Sequence, residues 1–277
     1  MYRILQETGA AKERRAQRRH PAYIKPQLIA EAPNQIWTWD ISKLPGHCKG
    51  IIFCLYVLLD KFSRYVVGWT IEETESTTAA KRLVKHAVDH QGVDPDQLTI
   101  HADRGAPMTS KGPYALFDSL GVRGAHSRPR VSNDNPYSEA HFKTVKYHPL
   151  YPKRFTGLAE ARHYFDRWFG WYNRQHHHIN LGLFTPAQVH DGSYREIQAT
   201  RQQALDEAYR QHPERFVKGP PRAPTVPRRV AINPDSHDEA ANPTPRSQDH
   251  HNAPMNRELR KAQDATEAHP TRQGEKS

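Results

Sequence analysis

The chain has 277 residues, enough for one well-buried domain with extensions, and its mean hydropathy of -0.88 implies that part of it stays outside any core. Forty Lys and Arg against 30 Asp and Glu give a formal charge of +10, which favours a polyanionic partner, nucleic acid first. Two cysteines, Cys48 and Cys54, exclude a disulfide framework, and no apolar run approaches the ~18 residues of a membrane span. The reading is a cytoplasmic protein with no membrane partner.

Residues 1–30 form a basic arm carrying Arg14, Arg15, Arg18 and Arg19. Residues 36–44, 51–60 and 64–72, rich in Ile, Val, Trp, Phe and Tyr and punctuated at Pro45-Gly46 and Lys61–Arg64, read as three antiparallel strands. From Ser76 to Gln91 the apolar spacing becomes helical, with Gly92 as a stop. A strand at 98–102, a helix around 113–120, a strand around 122–126 and a polar loop over 127–135 follow. Asn135 is suited to cap, and Pro136 to open, a helix running to about Tyr147. A further helix from Leu158 to about Gln175 sets Ala161, Tyr164, Phe165, Trp168 and Trp171 on one face, to be packed against the sheet.

The order predicts an α/β fold, and the chain divides into an arm (1–30), a core (31–192), a helical extension (193–218) and a mostly disordered tail (219–277). No Phe, Trp or Tyr occurs after Phe216, so the tail lacks the apolar surface to offset its chain entropy.

Three carboxylates stand out by position. Asp40 lies on a strand where Ile36, Thr38 and Asp40 share one face and Trp37 and Trp39 the other. Asp103 ends the strand at 98–102, and Glu139 falls near the start of the helix opened by Pro136. Among 30 acidic residues such a trio carries little by spacing alone. The surrounding blocks carry more: Trp37-Thr38-Trp39-Asp40-Ile41-Ser42, His101-Ala102-Asp103-Arg104-Gly105 and Ser132-Asn133-Asp134-Asn135-Pro136-Tyr137-Ser138-Glu139. With Trp171-Tyr172-Asn173 and Thr185-Pro186, they resemble the Asp-Asp-Glu transposases, in particular the second-reading-frame product of the bacterial insertion-sequence-three family, whose core is related to retroviral integrases. The resemblance runs from about Tyr2 to about Gly192.

That resemblance implies a ribonuclease-H-like mixed sheet flanked by helices, and a DNA transposase that cuts at insertion-element ends and transfers the freed strands to target DNA. Asp40, Asp103 and Glu139 take the places of its catalytic, metal-holding carboxylates. The implied cofactor is two Mg²⁺ ions, with Mn²⁺ as a substitute; hard divalent cations prefer oxygen ligands, and a paired site suits phosphoryl transfer. Lys146 matches the basic residue that the wider class places seven positions after its Glu. Lys143 and Lys146 fall on the helix face of Glu139 and, with Arg104, Arg128 and Arg130 on flanking loops, are candidates for phosphate contact. His176, His177 and His178, consecutive in the chain, are read as surface or DNA-facing rather than chelating.

The implied partners are element ends, target DNA and further copies of the chain on DNA. The segment Tyr2–Leu5 resembles the end of a helical module, which implies an upstream-frame helix-turn-helix protein as an additional partner. Two alternatives stay open at this point: a nuclease of the same fold that does not join strands, and a catalytically idle DNA-binding regulator or transposase remnant.

Overall fold

The computed structural model describes residues 28–94, 96–102, 115, 117–126 and 136–232. The arm before residue 28, the loop 127–135 and the chain after 232 lie outside them, as do most residues of the helix expected around 113–120.

The sheet follows the expected order. Strands β2 (Ile36–Pro45), β3 (Ile52–Asp60) and β4 (Val66–Glu72) form an antiparallel meander, then helix α1 (Thr77–Gln91) crosses to β5 (Thr99–Ala102) and β6 (Arg123–His126). In space the order is β4-β3-β2-β5-β6, with β5 parallel to both β2 and β6. Three antiparallel strands followed by two parallel ones, with the first strand central, make the mixed sheet of a ribonuclease-H-like α/β fold.

Alternation along β2 assigns its faces. Trp37 and Trp39 enter a core with Tyr56, Leu58 and Val67, closed by Ala80, Leu83, Val84 and Ala87 of α1. Ser76 caps α1 by accepting from the Ala79 amide, and Gly92 ends it at a φ of 58°. At Gly68 of β4 an added Cβ would stand 3.1 Å from Leu83 Cδ1 and 3.3 Å from Ala87 Cβ, so α1 approaches closely because that position carries no side chain.

Helices α2 (Pro136–Lys146) and α3 (Leu158–Arg174) follow. On α3 Phe165, Trp168, Phe169 and Tyr172 are buried, and Phe169 meets Trp69 of β4 with ring centroids 5.4 Å apart. Asn173 fixes this contact: its Oδ1 accepts from the Val66 amide at 2.9 Å, and its Nδ2 donates to the Val66 carbonyl at 3.0 Å. The Thr185-Pro186 block opens helix α4 (Pro186–Asp191) through a reciprocal capping box between Thr185 and Gln188. Helix α5 (Tyr194–Gln211) follows it.

The chain departs from the sequence reading after residue 218. Ala223, Val226 and Val230 are buried, and β7 (Val230–Ile232) pairs antiparallel with β1 (Leu28–Ala30). Val226 and Val230 join Ala30, Ile36, Phe62, Leu181, Phe184 and Val189 in a second apolar cluster. The aromatic count missed this because small β-branched and Ala side chains suffice when an existing surface receives them. Among the described residues, no helix is long and apolar enough to cross a membrane.

Candidate functional site

Asp40 sits in the middle of β2, opposite Val57 of β3. It is half-buried, and its Oδ1 accepts from the Ile41 amide at 2.7 Å. On the other side of β2, Ala102 of β5 stands in register with Trp39. Asp103 is the next residue along the chain and lies outside the described residues, as do Arg104, Arg128 and Arg130.

Glu139 occupies the first turn of α2 and is exposed. The preceding residue locks that turn onto the central strand: Ser138 Oγ lies 3.2 Å from Thr38 Oγ1, and both side chains are buried. Thr38 is two positions before Asp40 and on the same strand face. One buried polar contact thus brings the Glu139 turn to the strand of Asp40.

Farther along α2, Lys143 and Lys146 are exposed. Partial desolvation lowers the Lys146 pKa, and the Asp40 carboxylate opposes that shift, so this ammonium feels the strand carboxylate across the site. The opposite face of α2 is buried through Ser138, His141, Phe142 and Val145. Helical spacing therefore leaves Glu139, Lys143 and Lys146 together on the open side.

Sequence reasoning treated Lys61–Arg64 as punctuation, but this turn supports the start of α2. Lys61 is fully buried, with Nζ 4.8 Å from the Tyr137 ring centroid, and Arg64 Cζ lies 4.1 Å from the same centroid. Burial lowers the Lys61 pKa to about 5, with the Arg64 charge pushing the same way. Arg64 adopts a φ of 61°, a left-handed conformation rare for a bulky residue. Beside them Asp60 accepts from the Asn34 amide and from Ser63 N and Oγ, each at 2.7 Å. Ser63 Oγ continues to His190 Nδ1 at 2.9 Å. The available sequence signal was a group of charged residues embedded between two apolar strands.

Two histidine groups resolve differently. His176, His177 and His178 lie beyond the end of α3: His176 stacks on Tyr172, His177 Nδ1 lies 3.0 Å from the Leu183 carbonyl, and His178 accepts from the Asn180 amide. His141 of α2 is buried, parallel to the Phe169 ring and edge-on to Tyr172, with neither ring nitrogen hydrogen-bonded. Burial lowers its pKa to about 3, and the neighbouring His176 adds to the shift.

Among the described residues no group of three His, Cys, Asp or Glu is placed to hold a metal ion. Asp40 and Glu139 nevertheless fit a hard divalent cation by donor chemistry: both offer carboxylate oxygens, from a strand and a helix joined by the Ser138–Thr38 contact.

Comparison with known proteins identifies the kind of domain. Two models described as integrase core domains match residues 30–132 and 120–186. The transposase for insertion sequence element IS904 of Lactococcus lactis is 27% identical over 168 residues, covering 58% of this chain and 65% of that protein. The IS629 transposase of Shigella sonnei is 24% identical over 62% of this chain and 56% of its own length. Transposase InsF for IS3A of Escherichia coli is 26% identical over 60% of this chain and 57% of its own length. The chain thus spans somewhat under two thirds of these relatives. Among solved structures, the HTLV-2 integrase catalytic core domain in complex with magnesium is 19% identical, with a TM-score of 0.39 over 57% of this chain and 96% of that one. Across residues 30–186 the chain therefore carries an integrase core domain, and in this region it is similar to transposases of bacterial insertion sequences.

Proposed function

We propose that this chain cuts DNA at the ends of its insertion element and joins the freed 3′-hydroxyl to target DNA, with Asp40, Asp103 and Glu139 as the working carboxylates. The observation that carries the reading is the Ser138–Thr38 contact, which seats the Glu139 turn on the Asp40 strand. The Asp40 charge, which opposes the lowering of the Lys146 pKa, supports it, because the helix ammonium then lies within the field of the same carboxylate.

The three carboxylates would hold divalent metal, two Mg²⁺ ions with Mn²⁺ as a substitute. When bound, such ions lower the pKa of the attacking hydroxyl or water and stabilise the leaving oxygen of an in-line displacement. The chain's own residues supply the positioning. Lys143 and Lys146 hold backbone phosphates along the open face of α2, and Arg104, Arg128 and Arg130 extend that contact. Ser138, Lys61 and Arg64 act behind them as positioning residues that fix where Glu139 stands.

Residues 31–192 form the catalytic core in this reading, and 193–232 brace it. The basic arm adds DNA affinity. The protein works in the cytoplasm as a homo-oligomer on DNA, with an upstream-frame helix-turn-helix protein as an additional partner. Incubating the purified protein with labelled element-end DNA and Mg²⁺ or Mn²⁺ tests the assignment. Nicked and joined products are expected. Nicked products alone would make it a nuclease, and DNA binding with neither product would make it a regulator or remnant.

A further inference from the structure

The end of α2 carries a feature that the carboxylate and lysine assignment leaves unused. Tyr147 follows Lys146 directly and is 83% exposed, whereas Tyr56 and Tyr172 are buried. It is the one aromatic among the exposed large apolar side chains of the described residues. Isolated exposed apolar residues are ordinary, but both the backbone and the neighbours of this one are unusual.

Its backbone is held. The Tyr147 amide donates to the Lys143 carbonyl at 3.0 Å, continuing the helical pattern past Lys146. The next residue, His148, turns inward: its ring meets Trp168 edge-on with centroids 4.9 Å apart, and its Nδ1 accepts from the Leu150 amide at 3.1 Å. A side chain projecting from a backbone fixed on both sides is a preorganised platform, and binding to it costs little ordering of the main chain.

Its neighbours are cationic. Helical spacing places Tyr147 beside Lys143, four positions earlier, on the solvent side that also holds Lys146 and Glu139. An aromatic platform at the edge of a cationic row suits an unstacked nucleobase whose phosphates lie on the cations.

We propose that Tyr147 stacks on an unpaired base of the DNA next to the phosphate being processed, so that the catalytic helix grips a frayed end in preference to an intact duplex. This rests on the DNA-transferase reading above and adds to it a positioning residue with a defined preference.

The test uses the full chain and two probes of one sequence: a duplex with a short single-stranded 5′ overhang carrying 2-aminopurine at the junction, and its blunt counterpart. The wild-type protein should quench the 2-aminopurine and bind the overhang duplex more tightly than the blunt one. Tyr147→Phe should keep both properties, whereas Tyr147→Ala and Tyr147→Leu should lose the quench and about tenfold in affinity for the overhang duplex, with blunt-duplex affinity unchanged. The site is exposed, so unfolding curves of all variants should coincide. A Tyr147→Ala protein that quenches and binds like wild type overturns the proposal, and a Tyr147→Leu protein with full affinity reduces the contact to plain apolar burial and overturns it too. Binding of both duplexes without preference by every variant removes the stacking role alone. Wild-type protein that binds neither duplex removes the DNA reading and this proposal with it.

Discussion

His141→Phe should stabilise the protein and flatten its acid sensitivity. The native ring is 4% exposed between Phe169 and Tyr172, and neither nitrogen has a hydrogen-bond partner. Leaving a buried polar group unsatisfied costs about 1–3 kcal/mol, and Phe removes that cost while keeping a planar ring. Accommodating the larger ring takes back part of it, leaving a net gain of about 1–2 kcal/mol at neutral pH. For a folded region of this size that corresponds to a rise in Tm of about 2–8 °C.

The pH dependence has a definite sign. Burial lowers the folded-state pKa of His141 from 6.5 to about 3, so the unfolded chain binds the proton more readily. The neutral imidazole contributes its full stability above about 6.5 and loses it as the pH falls towards about 3. Between pH 7.5 and 5 the wild type should lose about 2 kcal/mol at this one group, and the Phe variant should lose none of it. His148 and His190, whose pKa values are also lowered by burial, remain in both proteins and cancel in the difference. Calorimetry or thermal circular dichroism at the two pH values measures the gap. A variant less stable than wild type at pH 7.5, or a gap that does not widen at pH 5, would refute the reasoning.

Two further perturbations probe how the site is held. Ser138→Ala should cost about 1 kcal/mol of stability but slow strand transfer about ten- to a hundredfold at unchanged DNA affinity, because the Glu139 turn loses its tie to Thr38. Single-turnover joining beside a binding titration separates the two effects, and an unchanged joining rate would show that Glu139 is fixed by other means. Ending the chain at residue 232 should preserve the core, whereas ending it at 218 removes buried Val226 and Val230, worth about 3–6 kcal/mol together. Equal unfolding curves for the two truncated chains would show that these residues add nothing to the folded core.

Much of this was legible in the sequence because local signals and tertiary demands agreed. Residue alternation fixed Trp37 and Trp39 against Thr38 and Asp40, and the same alternation now separates the α1 core from the α2 contact. Pro136 announced the start of α2, and Gly92 the end of α1. What was hidden depends on partners distant in sequence. Lys61 reads as a surface turn residue until Tyr137 arrives beside it, and His141 reads as polar until Phe169 and Tyr172 enclose it. Val226 and Val230 carry no local signal, because their burial needs the surface of Ile36, Phe62 and Val189. The positions of Asp40 and Glu139 followed from strand and helix patterns, while the buried hydroxyl pair linking those elements spans 100 residues.

The central claim concerns one site built from a strand and a helix, and strand transfer by carboxylate variants tests it most directly. Asp40→Asn, Asp103→Asn and Glu139→Gln should each nearly abolish metal-dependent joining of element-end DNA, with unfolding curves and DNA binding close to those of the wild type. Near-normal joining by a folded Asp40→Asn or Glu139→Gln protein would contradict the account.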